Sequence, residues 1–264
     1  MKQDEAFAKT TLHAPTLAAL RALSAEELAK KTAPKLFSSA PVFGPSIDGW
    51  FLTEPIAATW AAGQQAHIPV LAGSNLDETP ISVAKLGPFN AGALNLALLQ
   101  RFGMHILEAQ RQFPATTDQE AVRAGDDIGG MEFVGYTVWA WMEAQAATPQ
   151  KAFRYQLNLT TPVDADHPGP STAFHSDELE YVFGTLESRP GVHWRAEDSR
   201  LSEQMQAYWT NFAKHGDPNG EGLPAWPAYR AADGWQLMSL DAQSGAEPDR
   251  YRDRYLLYKK YWDK

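Results

Sequence analysis

Apolar residues spaced for one helical face open the chain in PTLAALRAL and again in SAEELAKK, where Ser24 and Glu27 form a capping box. Between Lys35 and Trp60 the pattern dissolves around Pro41, Gly44, Pro45 and Gly49, residues that supply turn chemistry. It resumes in IPVLAGS, a short continuous apolar run, which predicts a strand from Ile68 to Ala72 covered on both faces. Beyond Glu78 the helical period returns. Leu94, Leu98, Phe102 and Ile106 fall at intervals of four, and Thr117 with Glu120 marks another helix start. The segment FVGYTVWAWMEA is apolar on nearly every side, which predicts a deeply buried helix. FRYQLNL then alternates apolar with polar side chains, predicting a second strand from Phe153 to Leu159. Leu201, Met205, Tyr208, Trp209 and Phe212 mark one face of a later helix closed by Gly216 and Pro218, and WQLMSL offers one more short strand.

Strands separated by a long helical excursion, with more helix after them, predict an α/β layer architecture with a mostly parallel sheet. A parallel sheet covered by helices on both faces normally has more members than this pattern supplies. The sequence therefore reads as part of a fold. No internal repeat or low-complexity tract interrupts it.

Composition narrows the partners. With 264 residues, 44% of them hydrophobic, the chain can bury a sizeable core. Its formal net charge of -9 disfavours nucleic acid and anionic membrane surfaces, leaving neutral or cationic ligands as the easier expectation. The absence of cysteine excludes disulfides and thiolate chemistry and leaves the compartment open, cytoplasmic or exported. The stretch MKQDEAFAKTTLHAPTL has no apolar run of signal-peptide length after Lys2, and no later segment approaches a membrane span.

Candidate chemistry lies at two places, a carboxylate after the first predicted strand in GSNLDETP and a histidine beyond the second in STAFHSDELEYVFG. Ligands in α/β sheets bind outside the carboxyl ends of the strands, so Glu78 and His175 can converge although 97 positions separate them. Taken singly, each has a plainer reading: a loop carboxylate is usually solvated, as Asp77 beside it would be, and a lone histidine is as often a hydrogen-bonded loop residue.

The segments FGPSIDGWFLTEP, IPVLAGSNLDE, AFHSDELEYVFG and YWTNFAKHGDPNGEGLPAWPAY resemble consecutive blocks of the type B carboxylesterase family, in that family's order. The weaker FAKTTLHAPTLAALRALSAEEL resembles the helical region after the nucleophile. The resemblance implies that residues 1–264 are the C-terminal part of an α/β-hydrolase domain, with a large helical insertion between the acid-bearing and histidine-bearing strands. It implies Glu78 as the acid, His175 as the general base, a small carboxylic ester as substrate, and no cofactor or metal. The family's nucleophile sits in a G-x-S-x-G elbow, and no such elbow occurs here; Gly44 to Gly49, GPSIDG, is one residue too long, and Ser46 takes no catalytic role. The implied partner is an N-terminal half carrying the elbow and the oxyanion segment, without which the chain is expected to be inactive. The rival readings are a non-catalytic binding or adhesion module on the same fold, and a truncated gene remnant.

Other features have weaker functional readings. Asp164, Asp166, His167, His175 and Asp177 lie close in sequence but match no metal-ligand spacing. Trp139, Trp141 and Trp209 have apolar neighbours on helices, which reads as core or as the wall of a substrate gorge. Asp126 and Asp127 read as caps of the deep helix, and His215 with Lys214 as cations at a helix C-terminus.

Overall fold

The computed structural model describes residues 2–32, 45–78, 90–162 and 172–262. It divides into two compact units, Met1–Ile56 and Ala57–Lys264. The first carries helices α1 (Lys2–Thr10), α2 (Leu17–Ala22) and α3 (Ala25–Thr32). Thr16 Oγ1 accepts the Ala19 N–H ahead of α2, and Ser24 Oγ accepts the Glu27 N–H ahead of α3, each at 3.1 Å. These are the orphan donors that a first helical turn leaves open. Further on, one oxygen of Asp48 accepts the N–H groups of Trp50, Phe51 and Leu52 within 2.8–3.1 Å, which holds its carboxyl below the usual range. The turn residues Pro41 and Gly44 lie outside the described residues.

Helix α4 (Ile56–Ala61) begins at the boundary. The second unit then runs β1 (Val70–Asn75), α5 (Ala91–Phe102), α6 (Ile106–Gln112), α7 (Asp118–Gly130), a π-helical turn (Met131–Gly135), α8 (Tyr136–Ala146) and β2 (Ala152–Leu157). It continues with α9 (Glu178–Phe183), α10 (Ala196–His215), β3 (Gln236–Leu240), β4 (Gly245–Pro248) and α11 (Arg252–Trp262). The strands form one sheet in the order β1-β2-β3-β4, with β1, β2 and β3 parallel and β4 antiparallel to β3. The parallel part and its helical excursion follow the expectation from sequence. Strand β4 was not legible, because GAEP carries no apolar alternation.

Both faces of the sheet are covered. Val70, Ala72 and Ala152 face a core built with Leu94, Leu98, Phe102, Trp139 and Tyr258 from the helices of the excursion and from α11. Leu71, Phe153, Tyr155 and Leu157 face the other core, with Tyr181 from α9 and Leu201, Met205 and Tyr208 from α10. Alternate residues of β2 thus point into two different cores, as a strand buried between layers requires. Among the described residues no helix is long and apolar enough to cross a membrane.

Several boundaries differ from expectation. Strand β1 begins at Val70 and runs to Asn75, while Ile68 is exposed; a polar strand end reads as loop in sequence. The period through Ile106 does not make one helix, because Gly103 at φ 53° ends α5 and a short 3-10 turn leads into α6. Asp126 and Asp127 are not caps, since they lie inside α7, whose true N-terminal box is Thr117 with Glu120. The apolar segment 133–144 is not deep throughout: Trp139 and Met142 are fully buried, yet Phe133 in the π turn is 50% exposed.

Candidate active site

At the carboxyl end of β1 the parallel pairing continues for one residue beyond β2, with a different partner. The Leu76 N–H still donates to Leu157 of β2, whereas the Asp77 N–H donates to Ala173 at 2.9 Å, and Asp77 forms a parallel bridge with Phe174. Residues 172–174 therefore take the place of β2 alongside the extended β1. Because the bridge is parallel, the residues immediately after the bridged pair, Glu78 and His175, emerge side by side. His175 is not carried on the end of β2, as the sequence suggested; this separate bridge places it.

Their side chains meet at 2.6 Å between Glu78 Oε2 and His175 Nδ1. The other carboxylate oxygen accepts the Asn75 backbone N–H at 2.7 Å. An ionised carboxylate only accepts, so the shared proton sits on Nδ1 and leaves a lone pair on Nε2. The Glu78 side chain is 8% exposed and that of His175 51%, so the acid is walled in while the imidazole reaches solvent. Burial raises Glu78 above the usual carboxylate value, the Asn75 N–H and His175 pull against it, and the nearby Glu178 charge adds to the rise. The fold thus holds the proton of this acid more tightly than the unfolded chain does, so its contribution to stability is present in acid and lost as pH rises, and orienting an imidazolium needs the deprotonated form.

The surroundings fix this pair closely. The histidine turn is closed by Asp177, whose N–H donates to Phe174 O at 3.1 Å and whose carboxylate accepts the Phe174 N–H at 2.8 Å. Ser176 holds φ 72°, an uncommon left-handed conformation for a residue with a side chain. The Phe133 ring stands edge-on to the imidazole at 5.1 Å between centroids, at 71°. Its π-helical turn is pinned by an ion pair between Glu132 and Arg101 of α5 and by Tyr258 of α11. Just before it, α7 packs beside the acid at Gly130, where a Cβ would lie in ordinary contact at 3.4 Å from the Glu78 backbone nitrogen.

Sequence reasoning named Glu78 and His175 but missed Asn75, Phe133 and Glu178. The only signals were an asparagine ending an apolar strand and an aromatic starting an apolar helix, neither specific. Asp164, Asp166 and His167 of the metal alternative lie outside the described residues. Among the described residues no group of three His, Cys, Asp or Glu side chains is arranged to hold a metal. Ser46 is exposed in a loop of the first unit.

Asp126, on α7, is raised to about 6 by burial and by the charges of Asp77 and Asp127. Its folded value lies above the unfolded one, so its stabilising contribution is present in acid and lost as pH rises through about 6. Asp126→Asn is expected to raise the melting temperature at pH 8 and to leave it unchanged near pH 3, a gain of less than about 1 kcal/mol for this partly solvated group. A melting temperature equally shifted at both pH values would show that charge is not the cause.

The sequence model described as the carboxylesterase family matches residues 5–256. Carboxylesterase 5A of Felis catus is 31% identical over 257 residues, 88% of this chain and 44% of that protein. Fumonisin B1 esterase of Sphingopyxis macrogoltabida is 27% identical over 253 residues, 87% of this chain and 44% of that protein. Among solved structures, a PNB esterase superposes over 97% of this chain and 54% of its own with a TM-score of 0.73 at 24% identity. The chain thus spans about half the length of the relatives it matches.

Proposed function

Because the chain belongs to the carboxylesterase family, we propose that it supplies the acid and the general base of a Ser-Glu-His carboxylic-ester hydrolase. Residues 1–264 then form the C-terminal part of an α/β-hydrolase domain, and the nucleophile and oxyanion donors come from a complementary N-terminal half. One observation carries the reading: Glu78 and His175, 97 positions apart, are hydrogen-bonded at 2.6 Å beyond the carboxyl ends of parallel strands.

In this mechanism Nε2 of His175 takes the proton of the serine hydroxyl as that oxygen attacks the ester carbonyl. It returns the proton to the departing alcohol, and water releases the acid by the same two transfers. Glu78 keeps the proton on Nδ1 and stabilises the imidazolium, and Phe133 limits rotation of the ring. No G-x-S-x-G elbow lies in this chain, so turnover requires the complementary half.

The test is hydrolysis of a short-chain nitrophenyl ester by the chain alone and after co-expression with an elbow-bearing N-terminal half from a family member. The expected result is no turnover alone, turnover with the half, and no fluorophosphonate label on Ser46. Turnover by the lone chain that disappears on His175→Ala would overturn the division of the triad. A folded two-piece complex with no activity would favour the binding-module reading instead.

A further inference from the structure

We propose that Asn75 is a positioning residue for the Glu78–His175 pair, its side-chain amide clasping the histidine loop onto the strand end that precedes the acid. The proposal rests on the acid-base reading above. Asn75 is 3% exposed and closes β1. Its Nδ2 donates to Phe174 O and to Glu178 Oε2, each at 2.6 Å, while its backbone N–H holds Glu78 Oε1. Phe174 immediately precedes His175, and Glu178 begins α9 three residues after it, so one amide grips the histidine turn on both sides. A carboxamide presents two N–H donors on one nitrogen, and both are used here. Aspartate has the same shape but would turn acceptors toward a carbonyl and a carboxylate.

The geometry separates this role from holding the fold together. With the amide removed, the loop keeps the Asp77–Ala173 hydrogen bond and the Asp177–Phe174 turn, which fix where the segment meets β1. Neither of those contacts touches Glu78 or the Glu178 carboxylate. What is lost is the restraint on the distance from Glu78 to His175, together with the donor that holds the Glu178 carboxylate in place beside the acid. Supporting hydrogen bonds of this kind decide whether a catalytic pair is held in register.

The test uses the chain as it is, ¹⁵N-labelled, with the His175 ring signals assigned by their loss in His175→Ala. Above the pH at which the ring signals stop moving on further addition of base the ring is neutral, and its nitrogen shifts report which nitrogen carries the proton. The wild-type ring is expected in the Nδ1–H form; Asn75→Ala moves it toward the Nε2–H form that free imidazole prefers, and Asn75→Asp moves it further, with cooperative melting retained. If Asn75→Ala does not melt cooperatively, Glu178→Ala, which frees one end of the clasp, carries the comparison. An unchanged tautomer in a folded variant overturns the role of Asn75 and leaves the acid-base reading standing, provided Glu78→Ala does shift the ring. An unchanged tautomer in Glu78→Ala removes the acid-base reading itself.

Discussion

His175→Ala, introduced into the chain and assayed with a complementary elbow-bearing half, is expected to lower kcat about 10⁴–10⁶-fold, and Glu78→Gln about 10⁴-fold. The asymmetry follows from the site. In the proposed mechanism His175 handles the proton in both halves of the reaction, so its loss leaves only what an oxyanion hole and substrate binding supply. In the same mechanism Glu78 acts only through the imidazole; a glutamine fills its place but can present an N–H to Nδ1, which favours the wrong tautomer and withdraws the charge that stabilises the imidazolium. The two losses are expected to be far from additive, since the residues act as one unit. Wild-type-like kcat in either variant, measured under saturating ester, would exclude that residue from the chemistry.

The largest loss of stability is expected at the ion pair under the sheet. Arg154 on β2 pairs with Asp249, their side chains 2% and 0% exposed. Tyr229 donates to Asp249 Oδ2 at 3.0 Å, and the guanidinium lies over the rings of Tyr229 and Tyr255 at 5.5 and 5.0 Å. Asp249→Ala leaves a guanidinium, which cannot shed its charge, among aromatic rings with no counter-ion. The expected cost is about 3–5 kcal/mol, read as a lowered denaturation midpoint. Converting both partners, with Arg154→Met beside Asp249→Ala, should recover much of it, because the orphaned charge rather than the lost attraction is the main penalty. If Asp249→Ala costs no more than about 1 kcal/mol, the pair is solvated in a way the fold does not show.

The sequence by itself determined those parts of the protein whose cause is local. The helix starts at Ser24 and Thr117 follow from capping chemistry among residues three apart, and the backbone answers that chemistry within one turn. The apolar runs around Val70 and Phe153 imply strands covered on both sides, and burial between two helical layers is their consequence. Family order in the chain named Glu78 and His175. Tertiary structure decided everything that depends on register between distant segments. A single parallel bridge, Asp77 to Phe174, turns two sequence-remote residues into neighbours, and nothing in either segment specifies it. The same holds for Phe133, whose apolar neighbours read as core although its ring faces the imidazole, and for Asp126, whose carboxyl is pushed up to about 6 by burial first and then by the charges of Asp77, on another element, and of its helix neighbour Asp127. Hydrophobic period records which side of an element is covered; it carries no record of what covers it, and that is set only when the layers pack.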